Sequence, residues 1–315
     1  MSLWLIGAGT MAQDYARVLR SLDREFAVIG RNASSAGQFE AAIGCRVRQG
    51  GVGRALKSSA APAQAIVAVG VEHLAGVTAE LIEAGTRRIL LEKPGGLNTR
   101  EIRALQQTAA RHNAEVMIAY NRRFYAAANS ARQLIAEDGG ATSCVFEFTE
   151  WSHIIDPLTK GPGVKAAWFL ANSTHVVDLA FHLCGFPNDL RCWHGGSLGW
   201  HPTAAQFSGS GITEHGVLFS YHADWEAPGR WGVEVLTRKR RFIFRPLEQL
   251  HVIQSGSIKV ENIKLEDRLD KDFKPGLHAQ TEAFLAQDDR LFCTLDEQLR
   301  HCAVYDDMAG YNHGV

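Results

Sequence analysis

The chain lacks charge of one sign: 33 Lys and Arg face 34 Asp and Glu, a formal net charge of −1. That removes the electrostatic case for nucleic acid or a membrane surface as the main partner. No apolar run is long enough to span a bilayer. Cysteine is sparse, with Cys45, Cys144, Cys184, Cys192, Cys293 and Cys302 scattered and none in a C-x-x-C pair. Reduced thiols fit that pattern better than a disulfide framework or a zinc site. His194, His201, His215 and His222 do not form a ligand pair of helix or finger spacing with an acidic partner. No metal is therefore expected. Repeats, low-complexity stretches and disordered linkers are missing too. A secretory signal is not expected, because an apolar strand begins almost at Met1. What remains is a cytoplasmic globular protein of 315 residues, with the ordinary 46% hydrophobic and 21% charged composition of an enzyme.

The most informative stretch is at the start. Leu3-Trp4-Leu5-Ile6 runs directly into Gly7-Ala8-Gly9-Thr10-Met11-Ala12 and then into helix-forming sequence to about Leu22. This is strand, G-x-G-x-x-A turn, helix. Gly7 permits the tight turn, Gly9 permits close approach of a pyrophosphate, and Ala12 permits close packing of helix on strand. The helix N-terminus then offers free N–H groups and the positive dipole end to the phosphates. The bland alternative is a glycine turn that only closes a crossover.

Further strands are expected at 26–29, 65–69, 89–91 and 116–119, with amphipathic helices at 34–43, 73–84 and 99–111. Alternation of this kind predicts parallel βαβ units with helices on both faces. After Tyr120 the texture changes. A helix at 125–137 is followed by alternating runs at 144–150, 217–222, 233–236, 242–244 and 250–254, with helices at 173–183 and 276–285. These predict a largely antiparallel sheet. The expected organisation is a dinucleotide-binding α/β domain over 1–121 and an α+β domain over 122–315. Thr237-Arg238-Lys239-Arg240-Arg241 lies between two alternating runs and is expected to be a solvated hairpin tip.

A carboxylate is missing where an NAD enzyme usually holds the ribose 2′-hydroxyl. Gly30-Arg31-Asn32-Ala33-Ser34 stands there instead. Arg31 and Ser34 suit a 2′-phosphate, which places NADP ahead of NAD. At the end of the 89–91 strand comes Glu92-Lys93-Pro94. Carboxyl ends of parallel strands form the ligand crevice, so Lys93 is a candidate to polarise a substrate oxygen.

The chain resembles the glucose–fructose oxidoreductase and inositol dehydrogenase family of sugar and polyol dehydrogenases. The resemblance rests on Gly7 to Ala12, His73 ahead of Glu83-Ala84-Gly85, Glu92-Lys93-Pro94, Tyr120-Asn121-Arg122-Arg123-Phe124, and His175-Val176-Val177-Asp178-Leu179 leading to Cys184-Gly185. It implies a Rossmann domain followed by an α+β domain with an open sheet, and a homo-oligomer formed through that sheet. It also implies hydride transfer between nicotinamide and a sugar, nucleotide-sugar or polyol. Lys93 would polarise the reacting oxygen and His175 would act as general acid or base near neutral pH. The family aspartate of D-x-x-x-H falls on Ala171, a departure; Asn172 could orient substrate there.

The cofactor contacts expected are Gly7, Gly9, Thr10, Met11, Ala12, Arg31, Asn32, Ser34, Val69, His73, Glu92, Lys93 and Asn121. The substrate contacts expected are Lys93, Tyr120, Arg123, Trp151, Trp168, Asn172 and His175. Asp178 shares a helix face with His175 and either orients it or faces the domain junction. Two rival functions stand beside this reading: an imine or tetrapyrrole reductase of the same fold, and a nucleotide-binding regulator that has lost turnover.

Overall fold

The structure is a computed structural model and describes residues 2–311. Strand β1 (Leu3–Ile6) is buried at every position, as an apolar run covered on both faces must be. It pairs in parallel with β2 (Ala27–Gly30) on one side and β4 (Gln64–Val67) on the other. β2 continues to β3 (Val47–Gln49), and β4 to β5 (Arg88–Glu92) and β6 (Glu115–Ala119), all parallel. The chain therefore reverses direction across the sheet between β1 and β4, and the crevice at their carboxyl ends is the place for a ligand.

The second sheet has eight strands. They are β7 (Ser143–Glu147), β8 (Pro187–Gly195), β9 (Gln206–Thr213), β10 (Leu218–Asp224), β11 (Gly232–Leu236), β12 (Arg240–Phe244), β13 (His251–Gln254) and β14 (Glu261–Asn262). The order is β14-β13-β12-β11-β7-β10-β9-β8, antiparallel except where β7 meets β10. Its inner face carries Phe146, Phe207, Phe219, Tyr221, Phe242 and Phe244, all buried, and the Thr174–Cys184 helix packs on β7 and β11. Phe146 meets Phe181 of that helix edge-on at 5.6 Å between ring centres. Across the outer face the side chains are polar or solvated, and Trp193 and Leu218 stand 59% and 61% exposed. The hairpin between β11 and β12 turns at 237–239; Arg240 and Arg241 open β12, Arg240 bound to Asp138 at 2.6 Å and Arg241 paired with Glu234.

The end of the chain returns to the first sheet. β15 (Cys293–Thr294) adds antiparallel to β6. The Leu277–Ala286 helix packs on the Thr10–Ser21 helix, and Leu295–Ala309 packs on the Thr99–Arg111 helix. Among the described residues no helix is long and apolar enough to cross a membrane.

Candidate active site

Gly7 follows β1 with φ +121°, and a Cβ there would sit 2.1 Å from the Ala68 carbonyl oxygen beyond β4. Only glycine allows this approach of two strand ends. Gly9 is different: it caps the Thr10–Ser21 helix in extended backbone, and a Cβ would meet nothing within 4 Å. No side chain caps that helix end. Its first N–H groups, Thr10 and Met11 among them, therefore face an open surface while Ala12 is fully buried against the sheet. These residues fit a dinucleotide pyrophosphate.

Beyond β2, Arg31, Asn32 and Ser34 are all exposed. Asn32 is the N-cap of the Ala33–Ile43 helix, its Oδ1 accepting from Ser35 N at 2.9 Å. That commits its oxygen, while the side chains of Arg31 and Ser34 stand exposed beside it. Arg31 Nη1 lies 2.6 Å from His73 Nε2. A guanidinium only donates, so His73 Nε2 is the acceptor in this pair. Arg31, His73 and Val69, two residues past β4, thus line one edge of the crevice.

At the end of β5, Tyr15 donates to Glu92 Oε1 at 2.8 Å and also approaches Gln280 Oε1 at 3.3 Å. Gln298 Nε2 donates to the Pro94 carbonyl at 2.9 Å. Both C-terminal helices thereby hold the Glu92-Lys93-Pro94 turn, whose Lys93–Pro94 peptide is cis. The Lys93 ammonium donates to the carbonyl of Ala171. Ala171 lies in a wide π-helical turn, Phe169–Ser173, that leads into the Thr174–Cys184 helix. Such turns recur at functional sites. The lysine and the family's vacant aspartate position are therefore in direct contact. Burial first, then the nearby Arg122, pulls the Lys93 ammonium down to about 7.

His175 opens the same helix. Burial, then Arg122, Lys93 and Lys274, push its imidazolium well below the ordinary value. This corrects the expectation of a histidine titrating near neutrality: the ring is neutral there, and the group poised near 7 is Lys93. Tyr120 packs edge-on behind His175, 6.3 Å between ring centres, and is 1% exposed. It backs the histidine from within the core.

Three other expectations are corrected by burial. Arg123 makes a bidentate pair with Asp178 at 2.9 and 2.6 Å and a further bond to Glu297 at 2.7 Å. All its strength is spent inside, so it contacts no substrate, and Asp178 serves the junction and not His175. Asn121, 5% exposed, donates to the Pro275 carbonyl at 2.9 Å and accepts from Arg122, so its amide is turned toward a neighbouring loop. Trp168 is 8% exposed and lies against Trp200 as core. Trp151, by contrast, is 44% exposed and stacks with Arg230. Asp178, Cys293 and His301 bring ligand atoms within 4.8 Å of one another. Arg123 already fills that cluster with a fixed positive charge, which a cation would have to share.

One residue was missed. Glu150, just past β7, is 2% exposed and accepts from Asn172 Nδ2 at 2.9 Å and Ser173 Oγ at 2.8 Å. It places a buried carboxylate beneath the turn that bears Ala171. Its only sequence signal is an acidic residue ending an alternating run, which ordinarily marks a solvated strand end.

Residues 1–120 match the family model described as oxidoreductase family, NAD-binding Rossmann fold. Over that stretch the chain is similar to the Gfo/Idh/MocA oxidoreductases, in agreement with the parallel sheet and its glycine turn. No curated protein matches the sequence. Among solved structures, it is similar to a UDP-N-acetylglucosamine 3-dehydrogenase from Acidithiobacillus ferrooxidans, at 20% identity, 98% and 97% coverage of the two chains and a TM-score of 0.76. A levoglucosan dehydrogenase in complex with NADH matches at 16% identity, 98% and 96% coverage and a TM-score of 0.79. An NAD binding oxidoreductase from Klebsiella pneumoniae matches at 17% identity, 98% and 96% coverage and a TM-score of 0.75. At these identities the likeness is one of fold.

Proposed function

We propose that this chain is an NAD(P)-dependent dehydrogenase or reductase that moves a hydride at a CH–OH carbon of a sugar, nucleotide-sugar or polyol. The observation that carries the reading is Lys93. It stands at the carboxyl end of β5, against Ala171 and close enough to His175 to depress its charge, with its own ammonium drawn to about 7. A bound nicotinamide supplies the hydride acceptor or donor. Lys93 holds or releases the proton of the reacting oxygen, and the neutral His175 hydrogen-bonds that oxygen. Glu150 holds Asn172 in place through its carboxylate. The names of the similar dehydrogenases, one acting on a nucleotide-sugar and one on an anhydrosugar, support the substrate class. We take residues 1–121 as the cofactor domain and 122–315 as the substrate domain. The outer sheet face around Trp193 and Leu218 is our choice for self-association. Screening sugars, nucleotide-sugars and polyols in both directions by nicotinamide absorbance tests the activity; failure of every class would sink it.

Arg31 carries the preference for NADP. Arg31→Asp replaces a phosphate partner with a repelling charge, so NADPH binding should fall at least tenfold more than NADH binding in paired fluorescence titrations. Equal losses would show that Arg31 does not meet the 2′-phosphate.

His175→Asn removes a hydrogen bond and no titration near neutrality. Turnover should drop about tenfold, the scale of one hydrogen bond to a charged or developing-charge partner. The pH dependence around 7 should persist. Disappearance of that pH limb would return the proton transfer to His175.

A further inference from the structure

Several buried polar atoms beside the site have no hydrogen-bond partner, and three of them lie around one indole ring. The indole Nε1 of Trp231 is buried and unbonded, in a residue 8% exposed. Arg122 Nε is buried and unbonded, and its Nη1 reaches only the neighbouring Asn121 Oδ1 at 3.1 Å. His175 Nδ1 is the third. They are adjacent: the Arg122 guanidinium lies 5.0 Å, and the His175 ring centre 6.1 Å, from the Trp231 ring. Arg230 joins them, 4.6 Å from the Trp231 ring and 4.9 Å from Trp151.

Neither guanidinium is used up. Arg230 is half-exposed, and its ion pair with Glu150 Oε2 is long, at 3.9 Å, while Asn172 and Ser173 hold the same carboxylate by Oε1. Of the other carboxylates that act on Arg122, Glu248 is bonded by Tyr125 at 3.4 Å and Glu92 by Tyr15 at 2.8 Å. An arginine stacked on aromatic faces is fixed in place with its N–H edge open. Buried donors left unmade are costly, and one oxyanion would satisfy the indole and both guanidiniums together.

We propose that Arg122, Arg230 and Trp231 Nε1 seat an oxyanion carried by the substrate, a carboxylate or a phosphate, so that the chain selects acidic sugar derivatives over neutral ones. Lys93 and Lys274 add positive charge around the same histidine. The identity of the molecule bearing the anion rests on the dehydrogenase reading; the seat itself does not.

Calorimetric titration of the NADPH-loaded full chain separates the two. Glucuronate, glucose 6-phosphate and UDP-glucose are each compared with glucose. At least one acid should bind tenfold or more tightly than glucose, and which one does so distinguishes carboxylate, phosphomonoester and diphosphate. Arg122→Gln and Arg230→Gln should each reduce that advantage about tenfold, the scale of a charge-assisted hydrogen bond, with NADPH titration as the check that each variant is folded. Should Arg122→Gln fail to fold, the exposed Arg230→Gln carries the test. Equal binding of glucose and all three acids, or none by any acid, would overturn the proposal, as would wild-type acid affinity in Arg230→Gln. Acid binding that is lost in Arg230→Gln, in a protein that turns over no sugar, would keep the seat and discard hydride transfer.

Discussion

Lys93→Met is expected to cut turnover at least a hundredfold while NADPH still binds. A positioned acid–base group contributes on that scale, and methionine keeps the volume of the side chain without its proton. The phosphate-binding turn at Gly7 to Ala12 lies on another strand and is untouched. The pH profile gives the sharper result. With Lys93 drawn to about 7, the amine is neutral above that pH and charged below it. Oxidation of an alcohol should therefore accelerate as pH rises through about 7, and reduction should slow. Both limbs should vanish in Lys93→Met. Near-wild-type turnover in that variant, or a surviving limb, would remove the lysine from proton transfer.

The same substitution should stabilise the fold, because a lysine whose charge is penalised by burial favours function over stability. Its native pKa lies below its unfolded value, so the folded state binds the proton more weakly. The penalty is complete below about pH 7 and fades as pH rises toward the ordinary lysine value. The stability gain of Lys93→Met should follow that course in denaturant titrations.

Much of this fold is legible in the sequence, because its signals are local. The helix 99–111 begins and ends where its periodicity predicts, with Asn98 accepting from Glu101 N at its start. Glycine spacing gives the crevice, and the apolar runs give β1, β2, β4, β5 and β6. What escaped has weak or displaced signals. β9 reads Gln-Phe-Ser-Gly-Ser-Gly-Ile-Thr, in which Gly209 and Gly211 stand at inward positions and erase the alternation. Glycine is needed there because Cβ atoms would meet the Tyr221 and Phe219 rings at 2.4 and 2.7 Å. The Leu295–Ala309 helix was missed despite a usable cue: Thr294 and Glu297 form the start of a capping box, with Thr294 Oγ1 accepting from Glu297 N at 3.2 Å. Burial of polar residues is the harder case. No local pattern says that Arg123 faces inward or that Glu150 lies under Asn172, since both depend on pairings across more than twenty residues.

Arg123 tests that last point. Arg123→Met is expected to destabilise the protein by about 3–5 kcal/mol, the range for leaving one partner of a buried ion pair uncompensated. Asp178 is fully buried, and Arg123 is the cation that its carboxylate grips at both oxygens. Burial raises the Asp178 pKa and Arg123 opposes that rise. Without the arginine the native carboxyl binds its proton more tightly than the unfolded one. The loss should then be greatest at neutral pH and shrink as pH falls through the raised native value toward the ordinary one. The double variant Arg123→Met/Asp178→Leu removes both charges and should recover most of the stability, because a buried pair is commonly worth little against an apolar replacement. A substrate-binding arginine predicts the reverse pattern: a raised KM with an unchanged denaturation midpoint. That outcome in Arg123→Met would put the side chain back into the active site.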